Sequence, residues 1–175
     1  MKRAWLMIVI GAAWMTASVA HGPSRQKVDL SVRVAAPAAK VWALIGDFCA
    51  IAKWHPAVAQ CDGQGGNEIG ATRVLTLQGG AQISEELQQY DGARMSYKYK
   101  ITQTDMSVLP VTTYAAFLSV SDSGDGKSNV NWRGGFYRGF PNANPPPGQT
   151  DEAAVQAVTS VYESGLARIK ELAEQ

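Results

Sequence analysis

Apolar and polar residues alternate strictly over residues 27–34, which predicts a strand with one buried face. The apolar positions are Val28, Leu30, Val32 and Val34, and the polar positions are Lys27, Asp29, Ser31 and Arg33. Ala36-Pro37 opens a helix, because proline is tolerated at the first helical position. The apolar face of this helix consists of Val41, Trp42, Leu44, Ile45 and Phe48. A second short helix, Ala50–Trp54, ends before His55-Pro56, since the residue before a proline avoids the helical region.

Six further strands are predicted, separated by glycine-, aspartate- or proline-containing turns. They cover Ala57–Cys61, Thr72–Gln78, Gln82–Tyr90, Arg94–Thr102, Val111–Val120 and Asn129–Tyr137. Such spacing is typical of consecutive antiparallel hairpins. The proline-rich segment Gly139–Gly148 is predicted to be a loop, and Asp151–Glu174 to be one long helix with a single apolar stripe. The members of this stripe are Val155, Val158, Val161, Tyr162, Leu166, Ile169 and Leu172.

This order of elements predicts an α+β domain, in which a curved, seven-stranded antiparallel sheet wraps around the long C-terminal helix. Two predicted three-residue loops, Gly79–Ala81 and Asp91–Ala93, set the register of the central hairpins. The cross-strand pairs that they predict are Leu75 with Glu85, Arg73 with Leu87, Tyr99 with Glu85, and Tyr97 with Leu87. The inner face then carries Arg73, Leu75, Leu77, Ile83, Glu85, Leu87, Met95, Tyr97, Tyr99 and Ile101.

One arginine and one glutamate lie among the apolar residues of this inner face. Arg73 and Glu85 are diagonal neighbours in the predicted register, within reach of each other. They either supply polar contacts in a ligand cavity or form a buried ion pair that satisfies itself. The inward tyrosines Tyr97, Tyr99 and Tyr114 favour a cavity, because large rings with polar tips leave gaps.

The first twenty residues have the pattern of a secretory signal. Lys2 and Arg3 precede an uncharged apolar segment, and Ser18-Val19-Ala20 supplies the small residues that signal peptidase reads. This apolar segment is too short for a stable membrane span. The signal predicts a periplasmic protein with a tail at residues 21–26 and a single domain at 27–175. Without Lys2 and Arg3, 14 of the 16 basic residues remain against 15 acidic ones, a near-neutral balance that argues against nucleic-acid or anionic-lipid partners.

Few residues of this sequence suit metal, cofactor or nucleophile chemistry. It has no phosphate-binding glycine motif and no metal-ligand spacing, so no cofactor, metal or catalytic residue is predicted. Cys49 and Cys61 enclose a short loop in an exported chain, and a disulfide and two buried free thiols are nearly equal alternatives. His55 either lines a cavity mouth or hydrogen-bonds at the end of the second helix, and the second is favoured.

The residues after the first strand resemble a known superfamily. Val34-Ala35-Ala36-Pro37-Ala38-Ala39-Lys40-Val41-Trp42, Gly46-Asp47-Phe48 and Trp54-His55-Pro56 are similar to the opening of Bet v 1-like proteins, also called START-like or polyketide cyclase/dehydrase and lipid-transport proteins. The resemblance runs from about Val28 to Leu172 and implies a helix-grip fold. It specifies function weakly, because members include lipid carriers, hormone receptors and cyclases.

Two groups of relatives imply roles for particular residues. Plant lachrymatory-factor synthases use an inward arginine and glutamate, which Arg73 and Glu85 resemble. Plant hormone receptors line their pocket with a carboxylate and a tyrosine at positions similar to Glu85 and Tyr114. The loops that close the receptor pocket correspond to Gly79-Gly80 and Thr104–Pro110.

The alignment of the seventh strand is undecided by one residue, so either Trp132 and Phe136 or Arg133 and Tyr137 face inward. Hydrophobicity favours Trp132 and Phe136. The resulting prediction is a ligand-binding set composed of Arg73, Leu75, Leu77, Glu85, Leu87, Tyr97, Tyr99, Tyr114, Trp132, Phe136, Val158 and Tyr162.

The export signal, together with Phe136–Gly139 and Pro141–Pro147, resembles periplasmic MxaD-type accessory proteins of bacterial methanol oxidation. That resemblance implies a quinoprotein methanol dehydrogenase and its cytochrome c as partners.

Three functions remain open from the sequence. The favoured one is a non-enzymatic binding or accessory protein for a small apolar or amphipathic molecule, which predicts an enclosed cavity of some hundreds of Å³ and fails if the interior space is below about 100 Å³. The second is a cofactor-free cyclase, isomerase or dehydratase that uses Glu85 as acid or base with Arg73 and Tyr99. It needs a raised Glu85 pKa, whereas a paired arginine is expected to lower that pKa. The third is an interaction module whose interior is filled by its own side chains.

Overall fold

The computed structural model of the chain describes residues 22–175. The predicted signal sequence and residue 21 lie outside this range. The elements are β1 (Gln26–Val34), α1 (Ala38–Ile45), α2 (Ile51–Trp54), β2 (Val58–Gln64), β3 (Thr72–Leu77), β4 (Gln82–Asp91), β5 (Ser96–Gln103), β6 (Val111–Gly124), β7 (Lys127–Arg138) and α3 (Asp151–Ala173). The predicted order of elements is confirmed, and most boundaries lie within two residues of the prediction. The exceptions are the end of α1, which comes three residues before Phe48, and the ends of β2 and β6, which continue three and four residues further.

The seven strands form one antiparallel sheet in the order β1-β7-β6-β5-β4-β3-β2. The first and last strands of the chain are neighbours, and every other pairing joins strands that follow one another in sequence. The long helix α3 packs against β1 and β7 and also touches α1 and α2. This is the predicted α+β, helix-grip architecture, with the core between the inner sheet face and the helices.

Helix α1 begins one residue later than predicted, with Pro37 as its N-cap residue. Phe48 lies beyond the end of this helix, in the turn before α2, rather than on the helical stripe. It is nevertheless fully buried, as are Val41 and Ile45. Helix α3 has a better-defined start, since the Thr150 hydroxyl accepts a hydrogen bond from the backbone N–H of Ala153 at 3.1 Å.

The predicted register of the β3–β4 hairpin is wrong by two residues. Arg73 lies directly opposite Glu85, and Leu75 lies opposite Ile83. The three-residue loop is Gln78–Gly80, one residue earlier than expected, because its third residue adopts a left-handed conformation and Gly80 has φ +86°. Glycine occupies that conformation without steric strain, whereas the predicted loop required it of Ala81.

The predicted register of the β4–β5 hairpin is also wrong. Tyr99 lies opposite Leu87 rather than Glu85, and Tyr97 lies opposite Tyr90 rather than Leu87. The loop between these strands has four residues instead of three, and a bulge in β4 shifts the pairing between Leu87 and the end of the strand. A bulge places two residues of one strand opposite one residue of its partner. The alternation of apolar and polar residues does not reveal where this happens.

Candidate ligand-binding site

The interior of the sheet contains a cavity of about 130 Å³ on the side of β3, β4 and β5. Its walls are mainly aliphatic, and it is bounded by α2, the centre of α3 and the loop before β6. Val108 in that loop is 45 % exposed, so the cavity reaches the surface beside it. The predicted ligand-binding residues that line this cavity are Leu75, Leu77, Glu85, Tyr99, Tyr114 and Trp132.

The other six residues of the predicted set lie outside the cavity wall. They are Arg73, Leu87, Tyr97, Phe136, Val158 and Tyr162, and all of them are buried. Tyr97 packs against Trp42 and Phe48, with ring centroids 6.1 and 6.0 Å away. The inner face is therefore solid near α1 and hollow near the loop before β6.

Sequence reasoning missed several wall residues that lie outside the central strands. These include Ile51 and Val58 near α2, Val108 and Leu109 in the loop before β6, and Val161 on α3. The segment Thr104–Pro110 does contribute to the wall, in agreement with the resemblance to receptor loops, whereas Gly79 and Gly80 do not. An apolar pair in an otherwise polar loop was the available signal for Val108 and Leu109.

Arg73 lies behind the cavity wall and forms a buried ion pair with Glu85, which lines the cavity. Arg73 Nε donates to Glu85 Oε2 at 2.6 Å, and Nη2 lies 2.6 Å from the same oxygen. Nη1 donates to the backbone carbonyl of Phe48, and the Phe48 ring lies 4.0 Å from the guanidinium carbon. Arg73 is thus held by the protein, while Glu85 alone faces the cavity.

Burial raises the pKa of the Glu85 carboxyl, and this effect exceeds the lowering caused by Arg73. Pairing with Arg73 does lower the Glu85 pKa, as expected, but desolvation is the larger influence and the net direction is upward. Burial lowers the pKa of Arg73, but Glu85 and the neighbouring tyrosines together raise it by more, so the net direction is upward. Arg73 stays cationic beside the carboxyl.

His55 is held by two hydrogen bonds and presents no free nitrogen to the cavity. Its Nδ1 accepts from the backbone N–H of Ala57 at 3.2 Å, so the ring hydrogen is on Nε2, which donates to the carbonyl of Val161 at 3.0 Å. Burial lowers the His55 pKa, and the ring is neutral. Both sequence interpretations hold in part: His55 satisfies the end of α2, and its ring forms part of the cavity wall.

The facing of β7 follows hydrophobicity, with Trp132 and Phe136 buried and Arg133 exposed. The Trp132 ring stacks on Tyr162 of α3 at a centroid distance of 4.3 Å.

Cys49 and Cys61 form a disulfide with their Cα atoms 5.8 Å apart, which decides between the two alternatives that the sequence left open. This bond fixes the turn that carries the Phe48 carbonyl to β2.

Within residues 22–175, no group of three or more histidine, cysteine, aspartate or glutamate side chains is placed to hold a metal ion. No helix in the same range is long and apolar enough to cross a membrane.

The fold and the cavity define a helix-grip α+β protein with a small internal site. The chain belongs to the polyketide cyclase / dehydrase and lipid transport family, whose sequence profile matches residues 25–174. A search of curated proteins gives no significant match.

Solved structures with the same fold come from several bacteria. A protein from Thermobifida fusca is 30% identical, with a TM-score of 0.67, and the match covers 83% of this chain and 91% of that one. The protein XoxI from Bacillus cereus is 24% identical, with a TM-score of 0.70 and coverage of 84% and 94%. The Zhui aromatase/cyclase from Streptomyces sp. R1128 is 18% identical, with a TM-score of 0.66 and coverage of 86% and 94%. At 24% and 18% identity, the last two support the fold alone.

Proposed function

We propose that this chain is an exported, non-enzymatic protein that binds one small, largely apolar molecule in its internal cavity. The observation that carries the proposal is the cavity of about 130 Å³ beside Glu85. An engineered cavity of about 150 Å³ with apolar walls binds benzene, so this volume suits a single ring rather than a long acyl chain. The predicted secretory signal supports the periplasm as the location.

Native mass spectrometry of the protein purified from its own periplasm tests this function. We expect an additional mass that corresponds to a bound molecule of about ten non-hydrogen atoms or fewer, as the cavity volume permits. Titration with toluene, followed through the methyl resonances of Leu75, Ile83 and Ile101, gives an independent readout. Absence of both a bound mass and a toluene response contradicts the binding function and favours the interaction-module alternative.

A second candidate function is proton transfer by Glu85 in a cofactor-free isomerase, cyclase or dehydratase. The observation that favours it is the upward shift of the Glu85 pKa beside a tyrosine hydroxyl. Arg73 does not reach the cavity, so it acts here only by positioning Glu85. Turnover of the bound molecule that is lost in Glu85→Gln, with the fold retained, is the result that distinguishes an enzyme from a carrier.

The partners implied by the MxaD-type resemblance are a periplasmic quinoprotein methanol dehydrogenase and its cytochrome c, and we propose the proline-rich loop as the contact. Arg138 holds this loop by donating to the carbonyls of Phe140 and Asn142 at 3.0 and 2.8 Å. A fixed loop loses little conformational entropy on docking. Genes for both partners in the same operon, and co-purification that is lost on deleting residues 141–147, are the expected results.

A further inference from the structure

A chain of polar groups crosses the cavity wall and continues behind it. Trp132 Nε1 donates to the Tyr99 hydroxyl at 3.1 Å. The Tyr99 hydroxyl lies 3.4 Å from that of Tyr114, which lies 2.6 Å from that of Tyr162. Tyr99, Tyr114 and Trp132 line the cavity, whereas Tyr162 does not.

The direction of these hydrogen bonds follows from the buried end of the chain. Tyr162 is 0% exposed, and its hydroxyl has no partner other than Tyr114 within residues 22–175. Its hydrogen is satisfied only by donation to Tyr114, and an unpaired buried donor is strongly disfavoured. Tyr114 then donates towards Tyr99, which already accepts from Trp132. The Tyr99 hydrogen is left over and is free to point into the cavity.

The same wall carries one unpaired acceptor. Both contacts between Arg73 and Glu85 use Oε2, and no described residue donates to Oε1. Glu85 pairs with Ile101 and Tyr99 pairs with Leu87, so Glu85 and Tyr99 are diagonal neighbours on one sheet face, about 7 Å apart at the backbone. The cavity wall therefore carries a donor and an acceptor on two adjacent strands, with mainly apolar residues around them.

Resting on the proposed binding function, we propose that the cavity takes a compact hydroxyl compound, namely a single-ring phenol or an alcohol of similar size. Its hydroxyl group accepts the hydrogen of Tyr99 and donates its own hydrogen to Glu85 Oε1. One hydroxyl satisfies both wall groups at once. An ether or aldehyde leaves Glu85 without a donor, an ammonium group cannot accept from Tyr99, and an extended acyl chain exceeds the cavity volume.

Three probes of similar size separate these contributions: phenol, anisole, which accepts but does not donate, and toluene, which does neither. Dissociation constants come from calorimetry on the purified protein. We expect phenol to bind about tenfold or more tightly than toluene, the effect of two modest hydrogen bonds, and anisole to lie between them. Equal affinity for phenol and toluene overturns the hydroxyl assignment and leaves the apolar binding function standing. Equal affinity for phenol and anisole overturns the donation to Glu85.

Variants assign the effect to the wall groups. Tyr99→Phe should lower the affinity ratio of phenol to toluene towards one, while toluene binds as before. Tyr97→Phe is the matched control, since Tyr97 is equally buried in the same strand but lies outside the cavity wall, and its ratio should be unchanged. An unchanged ratio in Tyr99→Phe overturns the inference, and binding of none of the three probes overturns the proposed function as well.

Discussion

At the scale of single residues, the chemistry of the site depends on the surroundings of one carboxyl group, that of Glu85. Glu85 gains a hydrogen-bonded cation in the folded state but loses its hydration, and the second effect is larger. The Arg73 guanidinium has few other groups to interact with, because it is enclosed by Phe48, Tyr99 and Glu85. A buried pair of this kind stabilises the fold weakly, while removal of either partner leaves an uncompensated charge.

The pH dependence of stability should report the raised Glu85 pKa. A carboxyl whose pKa is higher in the folded than in the unfolded state contributes stability below its unfolded pKa and loses that contribution as pH rises through the folded pKa. The unfolding free energy of the wild type should therefore fall relative to that of Glu85→Gln as the pH rises above 4.5, the ordinary pKa of a glutamate. Urea denaturation across this window measures it. A shift in the opposite direction contradicts the dominance of desolvation.

Gly134 is the residue that allows the Tyr162 hydroxyl to approach β7. A Cβ atom at this position would collide with that hydroxyl oxygen, while the Tyr162 ring and the Ala115 carbonyl would stay in ordinary contact, at 3.4 and 3.5 Å. We expect Gly134→Ala to lower the free energy of unfolding by about 1–3 kcal/mol, as overpacking does. In a Tyr162→Phe background the same change should be nearly neutral, because the colliding atom is gone.

Chemical denaturation of the four proteins in this cycle gives the coupling between Gly134 and Tyr162. Gly135→Ala is the control, since its Cβ would meet only the exposed end of Arg25, at 2.8 Å from Nη2, and this side chain can move. An equal loss for Gly134→Ala with and without the Tyr162 hydroxyl would show that this oxygen lies elsewhere, and the hydrogen-bond direction inferred for the tyrosines would fail with it.

At the scale of elements, the turn between β3 and β4 decides which residues face each other across the site. Gly80 has φ +86°, whereas Gly79 does not adopt a positive φ, and a Cβ would meet nothing within 4 Å at either position. Gly80→Ala should therefore cost about 1 kcal/mol of stability through backbone strain, while Gly79→Ala should stay within about 0.5 kcal/mol of the wild type. Thermal denaturation of the two variants makes the comparison. Equal losses at both positions would contradict a left-handed Gly80 in this hairpin.

The same hairpin shows which part of the fold the sequence could predict. A loop moved by one residue changes the register by two, and side chains alternate with a period of two, so every residue keeps its face while every partner changes. For this reason the prediction placed Arg73 and Glu85 correctly on the inner face but as diagonal rather than direct neighbours. Strand order and facing follow from hydrophobic alternation, whereas register depends on one backbone conformation.

At the scale of the whole molecule, the site is a volume that the packed elements leave empty. Leu75, Leu87 and Tyr97 look equivalent in sequence, since all are apolar or aromatic residues on one face. Trp42 of α1 and the Phe48 turn fill one end of this face by packing on Tyr97, and the Cys49–Cys61 disulfide ties that turn to β2. Half of the predicted ligand-binding set lies outside the cavity wall, because a sequence pattern specifies a face and not the gap above it.

Two positions in β4 separate the hollow end from the filled end. Ile83 lines the cavity, whereas Leu87, four residues along the same face, is fully buried outside it. Leu87→Phe should lower the free energy of unfolding by about 1–3 kcal/mol, since no space receives the larger ring. Ile83→Phe should cost less than about 1 kcal/mol, because the additional atoms enter empty volume and regain contacts that the cavity lacks.

Ligand linkage then tests whether this empty volume is the binding site. Toluene at about one hundred times its dissociation constant should stabilise the wild type by about 2.7 kcal/mol. Leu87→Phe should gain the same increment, because its cavity is intact, whereas Ile83→Phe should gain none. Urea denaturation with and without toluene measures all three proteins. A full increment in Ile83→Phe would place the bound molecule outside this cavity, because a filled site cannot be stabilised by a molecule that no longer enters it.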